Sequence, residues 1–260
     1  MRLSVCIEMV FTEYPFSERP RKAAEAGLRA IEIWGWRDRD LKAVKEARAR
    51  YGLEISAMSG HEFGGVYDDE GGKAVLDDLV MAMEIAKDLD CRHLMVMADD
   101  ESGRVNRLSP ETRHKHAVKY LRQASRLAEE TGMTLVLEPV NNIVDHPNNC
   151  LNSSRDGFAL VKEVGSPALK LLYDIYHMQV MEGNLIETIT KNIDLIGYIH
   201  AADVPGRHEP GTGEIDYPNV LHALGVAGYR GTVGLEFIPS ESSEQAMAKV
   251  TKNWKGIFTY

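Results

Sequence analysis

The sequence predicts one α/β domain over residues 1–260, a single (β/α)8 barrel, and three observations carry that expectation. Short apolar runs alternate with longer amphipathic stretches from end to end, the pattern of βαβ units around a parallel sheet. Eight such pairs fit within 260 residues, the usual size of one closed barrel. The turn after the first run, Met9-Val10-Phe11-Thr12-Glu13-Tyr14, lacks glycine, whereas a doubly wound nucleotide-binding sheet is usually glycine-rich there.

Each element has its own local reason. Residues 3–9 form the first strand-like run, and 16–26 read as a helix stopped by Gly27. In 29–34, Ile31 and Ile33 alternate around Glu32 as in a strand. A helix over 38–51 ends at Gly52, and a strand follows at 54–58. Residues 60–72 (GHEFGGVYDDEGG) read as a glycine-rich loop, placed to be a lid or substrate loop. A helix over 73–88 leads to a strand at 93–97. Ser109 is the expected N-cap of the next helix, Pro110 suits its first turn, and Glu111 complements the helix dipole. That helix runs to Thr131 and stops at Gly132. The second half repeats the pattern, with strands at 134–138, 169–174, 195–200 and 232–237. Helices are expected at 154–164, 185–192, 217–226 and 244–255.

Composition narrows the function. The formal charge is −9, and the most basic stretch, residues 42–50, is interrupted by Glu46. A phosphate backbone would repel such a chain unless a dense basic patch offset the charge, so a metal-dependent nuclease is disfavoured and no nucleic-acid partner is expected. No run approaches the roughly 18 apolar residues of a membrane span, so no membrane partner is expected either. The three cysteines, Cys6, Cys91 and Cys150, form no CxxC pair, which argues against a disulfide framework or structural zinc. Without a secretory leader pattern at Met1–Val5, the default location is cytoplasmic.

The chemistry lies at the strand ends. In a barrel, catalytic groups stand at the C-terminal ends of the strands. Strands five to eight finish in Glu138, Asp174, His200 and Glu236. Any one of these is commonly a helix cap, a loop ion pair or a hydrogen-bonded core histidine. Four in succession after apolar runs, where an unpaired charge is costly, point to one divalent metal site. Three carboxylates and one imidazole suit Mn2+ or Mg2+, and also Co2+ or Zn2+. Open positions on such a cation would chelate a small hydroxy-ketone or hydroxy-aldehyde. A nearby carboxylate would then take the substrate proton and return it at the neighbouring carbon. His177, three residues past Asp174, can reach the same mouth. Arg207 follows strand seven in a Pro-Gly-Thr-Gly-shaped loop and can hold a substrate oxygen. His61 and Trp34 are weaker candidates to line the substrate pocket. His114 and His116, two apart on one helix, do not share a face.

Several segments then show a resemblance. LEPVNN (137–142), YDIYHMQVMEGN (173–184), IGYIHAADVPGRHEPGTGEIDY (196–217), GYRGTVGLEF (228–237) and the amino-terminal 9–34 resemble the hydroxypyruvate isomerase family, within the xylose-isomerase-like barrels. The resemblance implies a TIM barrel with one divalent metal held by Glu138, Asp174, His200 and Glu236. It also implies acid–base roles for Glu138 and Glu236, and substrate contacts for His177 and Arg207. His200 stands where those isomerases typically carry Gln, and matches the ketose 3-epimerases. The expected activity is therefore aldose–ketose isomerisation of a small unphosphorylated hydroxy-carbonyl compound. The alternatives are a ketose 3-epimerase of the tagatose/psicose type and a non-catalytic binder on the same barrel. By analogy with the group, a homo-oligomer is expected.

Overall fold

The computed structural model of the chain describes residues 1–99, 102–254 and 256–258. Eight strands, β1 (Arg2–Cys6), β2 (Ala30–Ile33), β3 (Glu54–Ser59), β4 (His93–Met97), β5 (Thr134–Glu138), β6 (Leu169–Asp174), β7 (Ile196–Ala201) and β8 (Thr232–Leu235), close into a parallel barrel in sequence order. The helices are α1 (Arg19–Glu25), α2 (Leu41–Tyr51), α3 (Asp69–Leu89), α4 (Pro110–Thr131), α5 (Ser154–Val164), α6 (Ile175–Met181), α7 (Leu185–Lys191), α8 (Tyr217–Val226) and α9 (Ser243–Asn253). Their starts follow from side chains that accept the free N–H groups of the first turn. Asp40, Asp68, Ser109, Ser153, Asp216 and Ser242 all do so.

The main core lies between strands and helices, and a second, smaller cluster joins Ala57, Met95, Val136, Leu172 and Tyr198. Because strand side chains alternate in direction, Glu138 shares the face of Val136, Asp174 that of Leu172, and His200 that of Tyr198. This alternation brings three predicted site residues to one end of the barrel interior. The register keeps them level, with Met97 paired to Glu138 and Asp174 to His200.

The structure revises several expected boundaries. The first helix begins with a 3-10 turn at Phe16–Glu18. The glycine-rich segment is not loop throughout, because Asp68 caps α3 and Gly71 and Gly72 lie in its first turn. Those glycines are set by packing: a Cβ on Gly71 would meet the Gly65 carbonyl oxygen at 2.5 Å, and one on Gly72 the Tyr120 ring at 2.3 Å. Helix α6, not expected as a separate element, starts directly at Asp174. Lys255, the last residue of the expected closing helix, lies outside the described residues.

Candidate active site

Glu138, Asp174, His177 and Glu236 are all buried, and each offers a ligand atom within 4.8 Å of the others'. His200 joins them from β7. Its Nδ1 is 3.4 Å from Glu138 Oε1, 3.6 Å from Glu236 Oε2 and 4.0 Å from Asp174 Oδ2. Neither His200 Nδ1 nor Glu138 Oε1 has a hydrogen-bond partner, although both are buried. Buried polar atoms are rarely left so. Two orphaned donor atoms facing one another among carboxylates fit a divalent cation between them.

Asp174 is both a helix cap and a site residue. Its Oδ1 accepts the His177 main-chain N–H at 3.1 Å, while Oδ2 turns toward the two histidines. Glu236, one residue past β8, is gripped from outside. Trp34 Nε1 donates to its Oε1 at 3.2 Å and Arg207 to its Oε2 at 2.5 Å. Arg207 lies over the Tyr176 ring and adopts a left-handed backbone (φ 55°), a conformation held by donation from Ile238 N–H to its carbonyl at 2.7 Å. The surrounding loop is pinned by two buried acids. Asp203 accepts from the main-chain N–H of Gly211 and Ile215, and Glu209 from Ser240 and Lys249.

The carboxylates are driven apart in acidity. Burial, with Glu236 and Asp174 nearby, raises Glu138 to about 7. Burial and the Glu236 charge also raise Asp174. At Glu236 burial is outweighed by His200 and Arg207, so it stays below its ordinary value. Burial opposes a charge on His200, but Glu236 and Glu32 pull its pKa well up, so a proton holds the positive position there. Burial and Arg207 push His177 well below its ordinary value, leaving it neutral. Two neighbouring carboxyls with separated acidities are the arrangement that divides acid from base.

A cavity of about 360 Å³ opens over this cluster, with Trp34, His61, Glu138, His177, Arg207 and Glu236 among its lining residues. That volume sits at the lower end of small-molecule sites. His61 contributes a wall more than a hydrogen bond, since Nδ1 is 3.1 Å from the Phe63 carbonyl and Nε2 accepts the Met97 N–H at 3.0 Å.

Two residues escaped the sequence reading. Glu32 is fully buried and meets His200 Nε2 at 2.8 Å through Oε2, while Oε1 accepts from Tyr198 OH at 2.8 Å. Its signal was present: a charge between two isoleucines in a strand covered on both sides must face the interior. Asn141, also fully buried, holds His177 from the far side. Its neighbourhood, set by a loop and a helix distant in sequence, left no periodic trace.

The comparisons agree with this geometry. A family model described as xylose isomerase-like TIM barrel matches residues 20–254. The chain belongs to the xylose isomerase-like TIM barrel family. It is 32% identical to the hydroxypyruvate isomerase of Escherichia coli K12, covering 95% of this chain and 97% of that one. It is 31% identical to the 2-oxo-tetronate isomerase of Cupriavidus necator, covering 92% and 93%. Among solved structures, an AP endonuclease, family 2, from Brucella melitensis shares 29% identity with a TM-score of 0.88, covering 96% and 98%. The two isomerase relatives place the chain among the family's isomerases.

Proposed function

We propose that the chain is a metal-dependent isomerase interconverting a small, unphosphorylated hydroxy-ketone and hydroxy-aldehyde, of the hydroxypyruvate or 2-oxo-tetronate kind. The observation that carries the reading is the orphaned pair, Glu138 Oε1 and His200 Nδ1, facing each other among three buried carboxylates. Glu138, Asp174, His200 and Glu236 would hold one divalent cation, Mn2+ or Mg2+ by their oxygen-rich donor set, with Co2+ or Zn2+ also compatible. Such a cation supplies Lewis-acid polarisation of the substrate carbonyl and offsets the charge that develops on its oxygen.

The protein's own groups do the rest. Glu138, which a bound cation would keep ionised, takes the proton from the carbon beside the carbonyl. The same carboxyl returns a proton to the neighbouring carbon, with Glu236, gripped by Arg207 and Trp34, as the second acid–base carboxylate beside the substrate. The hydroxyl proton passes to the former carbonyl oxygen, so the product differs from the substrate only in which carbon bears the carbonyl. His177 Nε2 and Arg207 face the cavity and orient substrate oxygens. Trp34 lines the cavity beside Glu236.

The test uses protein loaded with Mg2+ in D2O, with hydroxypyruvate, erythrulose, fructose and tagatose followed by NMR. Deuterium should enter at the carbon beside the carbonyl, and the product should be the isomer. Glu138→Gln should abolish the exchange while bound Mg2+ is still detected. Inversion at C3 of fructose or tagatose without carbonyl migration would replace isomerase by 3-epimerase. Ligand binding with no exchange in the wild-type protein, and unchanged by Glu138→Gln, would make the site a binder.

A further inference from the structure

Two buried histidines border the carboxylate cluster, and in a neutral imidazole one nitrogen bears a proton while the other offers a lone pair. What the far nitrogen touches decides which is which. At His177 the far nitrogen, Nδ1, meets two donors. The Asn141 main-chain N–H reaches it at 3.2 Å and the Asn141 side-chain nitrogen at 2.7 Å. A nitrogen receiving two donors has no room for its own proton, so the proton sits on Nε2.

This assignment depends on which way the Asn141 amide points, and that is fixed independently. Its Oδ1 accepts the main-chain N–H groups of Val144 at 2.9 Å and Asp145 at 3.1 Å. Its second amide hydrogen goes to Asp145 Oδ2 at 2.7 Å. Turned over, the amide would set N–H against two N–H groups and its oxygen against a carboxylate. Asp145 is itself anchored by Tyr176 OH at 2.8 Å.

At His200 the arrangement is reversed. The far nitrogen, Nε2, faces Glu32 Oε2 at 2.8 Å, and the other Glu32 oxygen is taken by Tyr198 OH. An accepting carboxylate keeps the proton on Nε2. That leaves Nδ1 as the atom turned toward Glu138, Asp174 and Glu236.

We propose that Asn141 and Glu32 are positioning residues that hold the proton on Nε2 of both imidazoles while the rings are turned opposite ways, and so sort them between substrate and cation. His177 presents an N–H, able to donate to a substrate oxygen and unable to ligate. His200 would present Nδ1, its unpartnered nitrogen facing the carboxylates, to the cation. By distance alone His177 is as well placed a ligand as any of the carboxylates; its tautomer excludes it. The role assigned to each histidine rests on the function proposed above, but the tautomers can be read without any substrate.

The experiment is 15N NMR of histidine-labelled protein, with His177→Gln and His200→Gln to assign the signals. Zn2+ alone serves as the diamagnetic probe. His177 is expected to show an unprotonated Nδ1 and a protonated Nε2, before and after Zn2+, while Zn2+ shifts His200 Nδ1. An unprotonated Nε2 on His177, or a Zn2+-dependent shift at that atom, overturns the proposal. Asn141→Asp should invert the His177 pattern and let Zn2+ perturb Nε2. In the loaded enzyme it should also lower kcat by about 10²-fold, the lower range for a lost proton donor. Glu32→Gln should weaken Zn2+ binding by about 10- to 100-fold, as loss of a partner behind a ligating histidine does. Unchanged Zn2+ affinity in Glu32→Gln removes Glu32 from the proposal. If Asn141→Asp fails to fold, the wild-type spectrum still decides the His177 tautomer. Absence of substrate exchange alongside the expected tautomers would count against the isomerase reading and leave the sorting intact.

Discussion

Arg207 and Gly234 show how far the site depends on single side chains. Together with His200, Arg207 keeps Glu236 ionised within a buried setting, and it does so through a charge-assisted contact at 2.5 Å. A lysine would supply charge without the planar fork that also covers Tyr176. Arg207→Lys is therefore expected to cost about 10²-fold in kcat/KM, comparable to one misplaced acid–base group, while steady-state kinetics and metal content together separate this from loss of the cation. Retention of wild-type kcat/KM would show that Glu236 needs no guanidinium. Gly234 in β8 has a different task. A Cβ there would lie 1.9 Å from Glu32 Oε1. Gly234→Ala must push Glu32 aside, and overpacking of this kind costs about 1–3 kcal/mol, readable as a lower urea midpoint at unchanged m-value. Gly234 held no interest in the sequence, because the reason for it sits on β2, some two hundred residues away. The four strand-end ligand candidates were legible for the opposite reason: each is polar at the end of its own apolar run, a purely local signal. Glu32 and Asn141 were not, since their meaning comes from partners on other strands and helices.

At the scale of elements, the strands and most helices could be read because period and capping are local. Boundaries failed where tertiary packing overrode a local rule. Gly71 and Gly72 look like a loop, yet they open α3 because Gly65 and Tyr120 press against that turn. This gives opposite expectations for one substitution on two helices. In α8, a Cβ on Gly225 would meet nothing within 4 Å. Gly225→Ala should stabilise by about 0.5–1 kcal/mol through the lower cost of ordering alanine in a helix. Gly72→Ala makes the same gain in propensity but drives the new methyl into the Tyr120 ring. It should destabilise by about 1–3 kcal/mol. Parallel urea melts of the two variants check the reversal, and a stabilised Gly72→Ala would mean that the α3–α4 contact is looser than the structure shows.

For the whole molecule, the −9 charge matters most where it is concentrated, since three acids share one buried site with a protonated histidine. Without a cation, the folded protein holds protons that the unfolded chain would release. Glu138 titrates near 7 when folded, against an ordinary value of 4.5, and His200 titrates well above its ordinary 6.5. Both are raised, so their contribution to stability is present at low pH. It is lost as pH rises, for Glu138 between 4.5 and about 7 and for His200 from 6.5 upward. Glu236 is depressed and changes only below its ordinary 4.5, outside that window. A bound cation reverses the trend, because binding expels those protons and so tightens as pH rises. Metal-stripped protein should therefore lose thermal stability from pH 5.5 to 8 relative to cation-loaded protein, and the gap between them should widen. At a free cation concentration of 100 times Kd, the stabilisation is about 2.7 kcal/mol, which for a chain of this size corresponds to roughly 5–10 °C in Tm. Thermal melts of dialysed protein, with and without added Mn2+ or Mg2+ at both pH values, make the measurement. A gap that stays constant or narrows toward pH 8 would show that the cluster neither carries these protons nor exchanges them for a cation.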